Sequence, residues 1–209
     1  MLKDILDNWR RSERGPLPKV DLEDLAIALI IIARGGIVGR YKLSRFMGIP
    51  QGTIRGVMKR FSENELIKVY VKGCEITSKG REALKEYFSE IGLEDLKVYG
   101  RDLFKFLAPG EVKVVAIVRN NLNKILDGLK QREEAVKAGA DGATTIIVKS
   151  GEIIIPGLSG FTENSYLNDI RDLKNIVEFE GKYVIVLCWA SNEAKAIKGA
   201  LKAIRTIVD

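Results

Sequence analysis

Between Gly48 and Ile67 the chain reads GIPQGTIRGVMKRFSENELI, and this stretch limits the fold more than any other. A Gly-Ile-Pro turn opens it. Ile54, Val57, Met58 and Phe61 then recur at helical spacing, which predicts a helix with one apolar, core-facing side. Thr53, Arg55, Lys59 and Arg60 stand between those positions and cannot all enter a core. Leu66-Ile67 lead into IKVYVKG, whose alternation and β-branched content predict a strand. Gly73 marks a tight turn and EIT a short returning strand.

Upstream, Asp21 with Asp24 forms a helix entry, and DLEDLAIALIIIAR is apolar nearly all round after Asp24, as in the central helix of a small bundle. Gly35-Gly36 ends it. A second short helix, roughly Arg40 to Met47, offers Tyr41, Leu43, Phe46 and Met47 to the interior, and Pro50 sits at the first turn of the third helix. Helix, short helix, glycine turn, helix and two strands is the order of a winged helix-turn-helix, with the third helix in the recognition position. Thr77 or Ser78 caps a further helix, SKGREALKEYFSEIG, with Ala83, Leu84, Tyr87 and Phe88 inward. At the start of the chain, Leu2, Ile5, Leu6 and Trp9 predict an amphipathic helix too short to fold alone. Gly15-Pro16-Leu17-Pro18 separates it from the body as a linker.

The segments GTIRGVMKRFSENELIKV and EITSKGREAL together resemble the core of many bacterial and archaeal winged-helix transcription regulators. Those show a Thr-Ile/Val-Arg start, a Leu-Ile helix exit and a Thr-x-x-Gly entry to the next helix. The resemblance covers about residues 20–90. The whole chain resembles uncharacterised archaeal winged-helix proteins with a C-terminal domain of unknown function. It implies a regulator and carries over no ligand.

The remaining chain has a different rhythm. VKVVAIVR predicts a strand over 112–119, Asn121–Ala138 a helix with Leu122, Ile125, Leu126, Leu129 and Val136 inward, and ATTIIVK a strand over 143–149. Ser150-Gly151 turns the chain into EIIIP. Ser165–Phe179 reads as a helix, KYVIVLCWA (182–190) as a strand and Glu193–Val208 as a last helix. The expected fold class is α+β: an N-terminal winged helix-turn-helix followed by a two-layer α/β sandwich of order β-α-β-β-α-β-α. The expected divisions are 1–18 (helix and linker), 19–95 (winged helix) and 96–209 (sandwich, for dimerisation, ligand sensing or both).

Charge placement points to a partner. No acid occurs from Leu25 to Ser62, while Arg34, Arg40, Lys42, Arg45, Arg55, Lys59 and Arg60 stand in that window. Duplex DNA carries about one negative charge per 1.7 Å of axis, so a carboxylate facing it would be repelled. In a helix-turn-helix the second helix crosses the backbone and the third enters the major groove. Arg40, Lys42 and Arg45 therefore suit phosphates; Gln51, Thr53 and Arg55 suit base edges or flanking phosphates; Lys59 and Arg60 suit phosphates further along; Lys72, at the hairpin tip, suits a minor groove. Gly52 and Gly56 are expected to let the backbone approach DNA closely. The partner expected is double-stranded DNA, bound by a homodimer. The alternatives are a winged helix used for protein contacts on the same residues, or a small-molecule-binding or enzymatic C-terminal domain to which the winged helix is subsidiary.

In the second half, Arg119-Asn120-Asn121, Gln131-Arg132-Glu133 with Gly139–Thr145, and the loop Pro156–Gly160 lie where strand ends and glycine turns hold small anions. Arg119, Arg132, Thr144, Thr145 and Lys149 are the candidate residues for a small-molecule effector. Their glycine spacing fits neither a P-loop nor a dinucleotide fingerprint.

Catalysis is not expected. The chain has no histidine, which removes His-based triads and His-metal sites. Cys74 and Cys188 are too far apart in sequence for a metal motif and read as buried thiols. Ser159 in Gly-Leu-Ser-Gly-Phe resembles a nucleophile elbow but breaks its spacing. Glu133-Glu134 and the pair Asp169/Asp172 read as surface charge. No metal or cofactor is expected. Few amides and cysteines beside many Lys and Glu fit a thermophile, and the resemblance stated above implies an archaeal one. No apolar run approaches a membrane span, and the N-terminus lacks a signal-peptide pattern, so a soluble cytoplasmic protein is expected.

Overall fold

A reciprocal capping box starts the first long helix: the Asp21 carboxylate accepts from the Asp24 N–H at 3.0 Å, and the Asp24 carboxylate accepts from the Asp21 N–H at 3.0 Å. The computed structural model describes residues 1–11, 19–119, 125–157, 166–177 and 181–208. Its contacts divide the chain into two units, Met1–Glu90 and Ile91–Asp209.

Unit 1 runs α1 (Leu2–Arg11), α2 (Leu22–Gly35), α3 (Arg40–Met47), α4 (Gln51–Glu63), β1 (Ile67–Tyr70), β2 (Gly73–Ile76) and α5 (Ser78–Glu90). Every residue of α2 from Leu25 to Ile32 is buried, as its all-round apolar sequence requires. Gly48, in the left-handed region at φ 66°, ends α3, and the Ser44 hydroxyl fixes the turn by donating to the Ile49 carbonyl at 2.6 Å. Ile54, Val57 and Phe61 hold α4 to the core. Some expectations differ: Phe46, Met47, Met58, Leu84 and Phe88 are only half-buried, and Tyr41 points outward, 66% exposed. β1 and β2 pair antiparallel from Ile67↔Ile76 to Tyr70↔Gly73, and Val38 adds a bridge to Cys74. The N-terminal helix packs within its own chain: Leu2, Ile5 and Leu6 are buried, and the terminal amine pairs with Asp4 and Glu86, both at 3.2 Å.

Unit 2 runs β3 (Leu93–Tyr99), β4 (Val112–Arg119), α6 (Leu129–Lys137), β5 (Gly142–Lys149), β6 (Glu152–Ile154), α7 (Leu167–Ile176), β7 (Lys182–Ala190) and α8 (Glu193–Val208). The five strands form one antiparallel sheet in the order β3-β4-β7-β5-β6. The class is α+β, as expected, with one strand more. β3 was not expected, and because it belongs to this sheet the division between units falls after Glu90, ahead of the boundary expected at 95/96.

Both sheet faces are covered. Gly199 on α8 lies against Cys188 of β7 and Ala135 of α6, so α6 and α8 share one face. On the other, Val115, Ile146, Ile185 and Leu187 join Leu173 and Val177 from α7 and its C-terminal end, and Phe104, Leu107 and Ala108 from the segment between β3 and β4. The two layers expected thus gain a third cover, because each central strand is apolar on both sides. α6 starts later than expected: Asp127-Gly128 turns the chain, with the Asp127 carboxylate accepting from the Leu129 N–H at 3.0 Å. Leu126, Leu129 and Val136, expected inward, are exposed, while Gln131 and Ala135 face the core. Leu122 lies outside the described residues. Among the described residues no helix is long and apolar enough to cross a membrane.

Candidate nucleic-acid interface

α4, the N-terminus of α3 and the β1–β2 hairpin enclose a groove of about 750 Å³. Arg40, Gln51, Arg55, Lys59 and Lys72 all line it. The helical period places Gln51, Arg55 and Lys59 on one exposed face of α4, opposite Ile54, Val57 and Phe61. The hairpin folds back beside that face and brings Lys72 to it. Among the described residues, Arg40, Arg55 and Lys72 have no carboxylate within ion-pair distance. Lys59 lies 3.7 Å from Glu63, an exposed pair that contributes little to stability. Glu63 also lines the groove, so its wall holds four cations against one carboxylate, and three of the four have no ion-pair partner among the described residues.

The other four residues expected at DNA lie off the groove wall. Lys42 and Arg45 are exposed on α3, and Thr53 is half-buried on α4. Arg60 departs furthest from expectation. Its guanidinium lies 3.9 Å from the centroid of the Trp9 ring, and its Nη1 donates to the Gly56 carbonyl at 3.3 Å. Burial lowers its pKa from the usual arginine value, partly opposed by the charge of Glu63. Arg60 fastens α1 to α4 and is not offered to a phosphate. Gly56 has the same partner: a Cβ there would stand 2.8 Å from a Trp9 ring carbon, so the missing side chain admits the indole, not a DNA backbone. Gly52 alone remains open.

Further residues line the groove, among them Met58, Ser62 and Glu63. Tyr41, Val69, Tyr70 and Val71 form apolar walls, with Val71 fully exposed at 107%. Tyr70 donates to Glu75 and lies 5.3 Å below the Lys68 ammonium. The signal in the sequence was Val69-Tyr70-Val71 leading straight into a turn. Apolar residues at a hairpin tip have no core to enter.

The effector residues expected in unit 2 do not converge. Arg119 lines a cleft of about 520 Å³ with Glu94, Asp95, Lys97 and Tyr183, but its Nε is paired with Glu94 at 2.6 Å. Arg132 is exposed on α6, and Lys149 is exposed at the end of β5 opposite Glu152. Thr144 donates to the Leu107 carbonyl at 2.7 Å, a structural bond. Thr145 is buried on the opposite face of β5, its hydroxyl without a hydrogen-bond partner among the described residues. Asn120, Asn121 and Leu158–Gly160, including Ser159, lie outside those residues.

Asp169 corrects the reading of surface charge. It is 4% exposed and accepts from the N–H groups of Phe106 and Leu107 at 2.9 and 2.6 Å, while Asp172 accepts from Phe104 at 3.3 Å. These carboxylates on α7 clamp the segment between β3 and β4. Beside them, Lys113 is buried and donates to the Gly100 carbonyl at 3.3 Å. Burial lowers its pKa against the opposing charges of Asp169 and Asp102. Among the described residues, no group of three His, Cys, Asp or Glu side chains is placed to hold a metal ion.

Residues 109–207 match a family model described as a domain of unknown function (DUF4443). That match lies within unit 2. None of the curated proteins matches the chain. Among solved structures, the chain is similar to the hypothetical protein PH0730 from Pyrococcus horikoshii OT3. The identity is 24%, 90% of this chain and 93% of that one are covered, and the TM-score is 0.67, a likeness of fold.

Proposed function

We propose that unit 1 is a winged helix-turn-helix that binds double-stranded DNA, and that the protein is a cytoplasmic transcriptional regulator. α4 lies in the major groove with Gln51 toward base edges and Arg55 toward a base edge and its flanking phosphate. Arg40, Lys42, Arg45 and Lys59 meet phosphates. Unit 2 pairs two copies, senses a small molecule, or does both. The observation that carries this is the groove: five of the residues singled out for DNA come together there, its wall holds four cations against the one carboxylate of Glu63, and Arg40, Arg55 and Lys72 have no ion-pair partner among the described residues. Cations left unpaired on one face suit a polyanion better than a neutral partner.

The test is binding of genomic duplex fragments as a function of salt. Each neutralised phosphate contributes a slope of about 0.9 in log K against log salt, so Arg40→Ala with Lys59→Ala should flatten the slope by about two. Salt-independent binding, or no change in the double variant, would sink the proposal. A second reading, a docking module for another protein, draws on Tyr41, Val69, Tyr70 and Val71 in the same groove. It predicts a partner held by those four side chains and indifferent to the charge variants.

A further inference from the structure

We infer that the tip of the β1–β2 hairpin is an apolar wedge for DNA, with Val71 entering the minor groove and unstacking a base step; this rests on the DNA-binding reading above. Val71 and Lys72 are the two residues of the turn, between Tyr70 and its cross-strand partner Gly73. Two-residue hairpin turns favour Asn-Gly or Asp-Gly, which tolerate positive φ. Here neither turn residue has positive φ, and the first is β-branched and fully exposed. Turn chemistry does not call for valine at that place, and no core receives it.

The tip is built to keep its shape. Val38 and Cys74 exchange backbone hydrogen bonds at 2.8 and 3.0 Å, so a third chain segment braces the hairpin at its closed end. Gly73 makes that brace possible: at φ 151° a Cβ would stand 2.7 Å from the Val38 carbonyl. Valine has one stiff side-chain torsion, so little freedom is lost when it is inserted. Lys72 stands next to it, Lys68 lies behind it over Tyr70, and Arg40 lies across the groove. Glu75 beside Tyr70 and Glu63 on the groove wall offset part of this charge, and the cations remain in excess; an apolar point so placed suits DNA, in which stacked bases lie between two lines of phosphate. Side chains of this kind part base steps and kink the duplex by about 20–90°, most readily at flexible pyrimidine–purine steps.

The test uses the full chain and a synthetic duplex with repeated TA steps, 2-aminopurine replacing adenines and a fluorophore pair at the ends. Wild-type protein should raise 2-aminopurine emission about twofold or more and shorten the end-to-end distance. Val71→Ser should remove both signals while its affinity falls by no more than about tenfold, since the cations remain. Val71→Leu should keep them. Binding without either signal overturns the wedge and leaves the DNA reading standing, as does a Val71→Ser protein that keeps both. Failure to bind any duplex overturns the two together. Self-association abolished by Val71→Ser, with no change in emission, assigns the tip to a protein contact and overturns the wedge.

Discussion

On α4, Arg55 opens onto the groove while Arg60 is stacked on Trp9, so the two should fail differently. Arg60→Ala should cost about 0.5–1 kcal/mol of stability in unit 1, the usual range for a cation over an exposed ring. It should leave the salt slope of DNA binding unchanged. Arg55→Ala should do the reverse. Denaturant titration followed by Trp9 emission, paired with a binding isotherm, separates the two. Gly56→Val should release the indole, seen as a red shift of Trp9. Nothing near Arg60 in sequence announces this role, because its partner lies on another helix. The thiols, in contrast, were legible as buried from composition alone. Burial pushes Cys74 up to about 11 and Cys188 up to about 12, each from 9.0. A raised folded pKa means that the native state keeps a proton the unfolded chain has lost. These thiols therefore contribute full stability below pH 9, and it declines as pH rises toward 11 and 12. The Cys74→Ala, Cys188→Ala protein should lose less stability than wild type between pH 9 and pH 10.5, measured by urea midpoint.

Whole elements were legible wherever the hydrophobic period ran uninterrupted. α3, β4, β7 and α8 have the bounds that their patterns predict, since each is either a continuous apolar run or a helix between clear breakers. β3 was missed for a physical reason. The register slips between Leu93 and Asp95, so a bulge puts three positions between Leu93 and Leu96 where a regular strand has two. Its apolar residues share a face, yet their spacing no longer alternates. The sequence pattern overextends α6 because Ile125, Leu126 and Leu129 imitate a helical face across the Asp127-Gly128 turn. The role of Asp169 was hidden for another reason. A carboxylate on a helix reads as solvated until the chain segment whose N–H groups it accepts is known. Its removal is a test at this scale. Asp169→Ala removes the acceptor of the buried Leu107 N–H and of the part-buried Phe106 N–H, together with the largest opposing charge on Lys113, and should cost unit 2 about 1–3 kcal/mol. Thermal melts of the full chain should show the loss as a lower transition for unit 2, with the transition of unit 1 unmoved. A uniform shift of both would contradict the separation of the clamp from unit 1.

At the scale of the whole chain, each unit has its own buried core, the first around α2 and the second on both faces of the sheet. A segment that buries its own apolar surface and is joined to the rest by one chain connection is expected to fold by itself. Residues 1–90 should therefore melt cooperatively as an isolated fragment, with Trp9 as the reporter. The fragment should also retain the groove, since every residue that lines it lies between Gly39 and Gly73. The proposed regulator then makes a quantitative demand on unit 2. If unit 2 pairs two copies, the second DNA contact of each dimer forms at high effective concentration, and avidity exceeds the single-site affinity by about 10²–10⁴. Half-sites about 34 Å apart, or a multiple, would be bound together. The fragment should bind a single half-site with the same salt slope per protomer as the full chain, yet bind the paired site at least about 100-fold more weakly. Isotherms on duplexes with one and two half-sites measure both quantities. Equal affinities on the paired site would remove dimerisation from unit 2 and leave it the sensing role alone. A fragment that fails to bind while the full chain binds would move the interface out of the α4 groove.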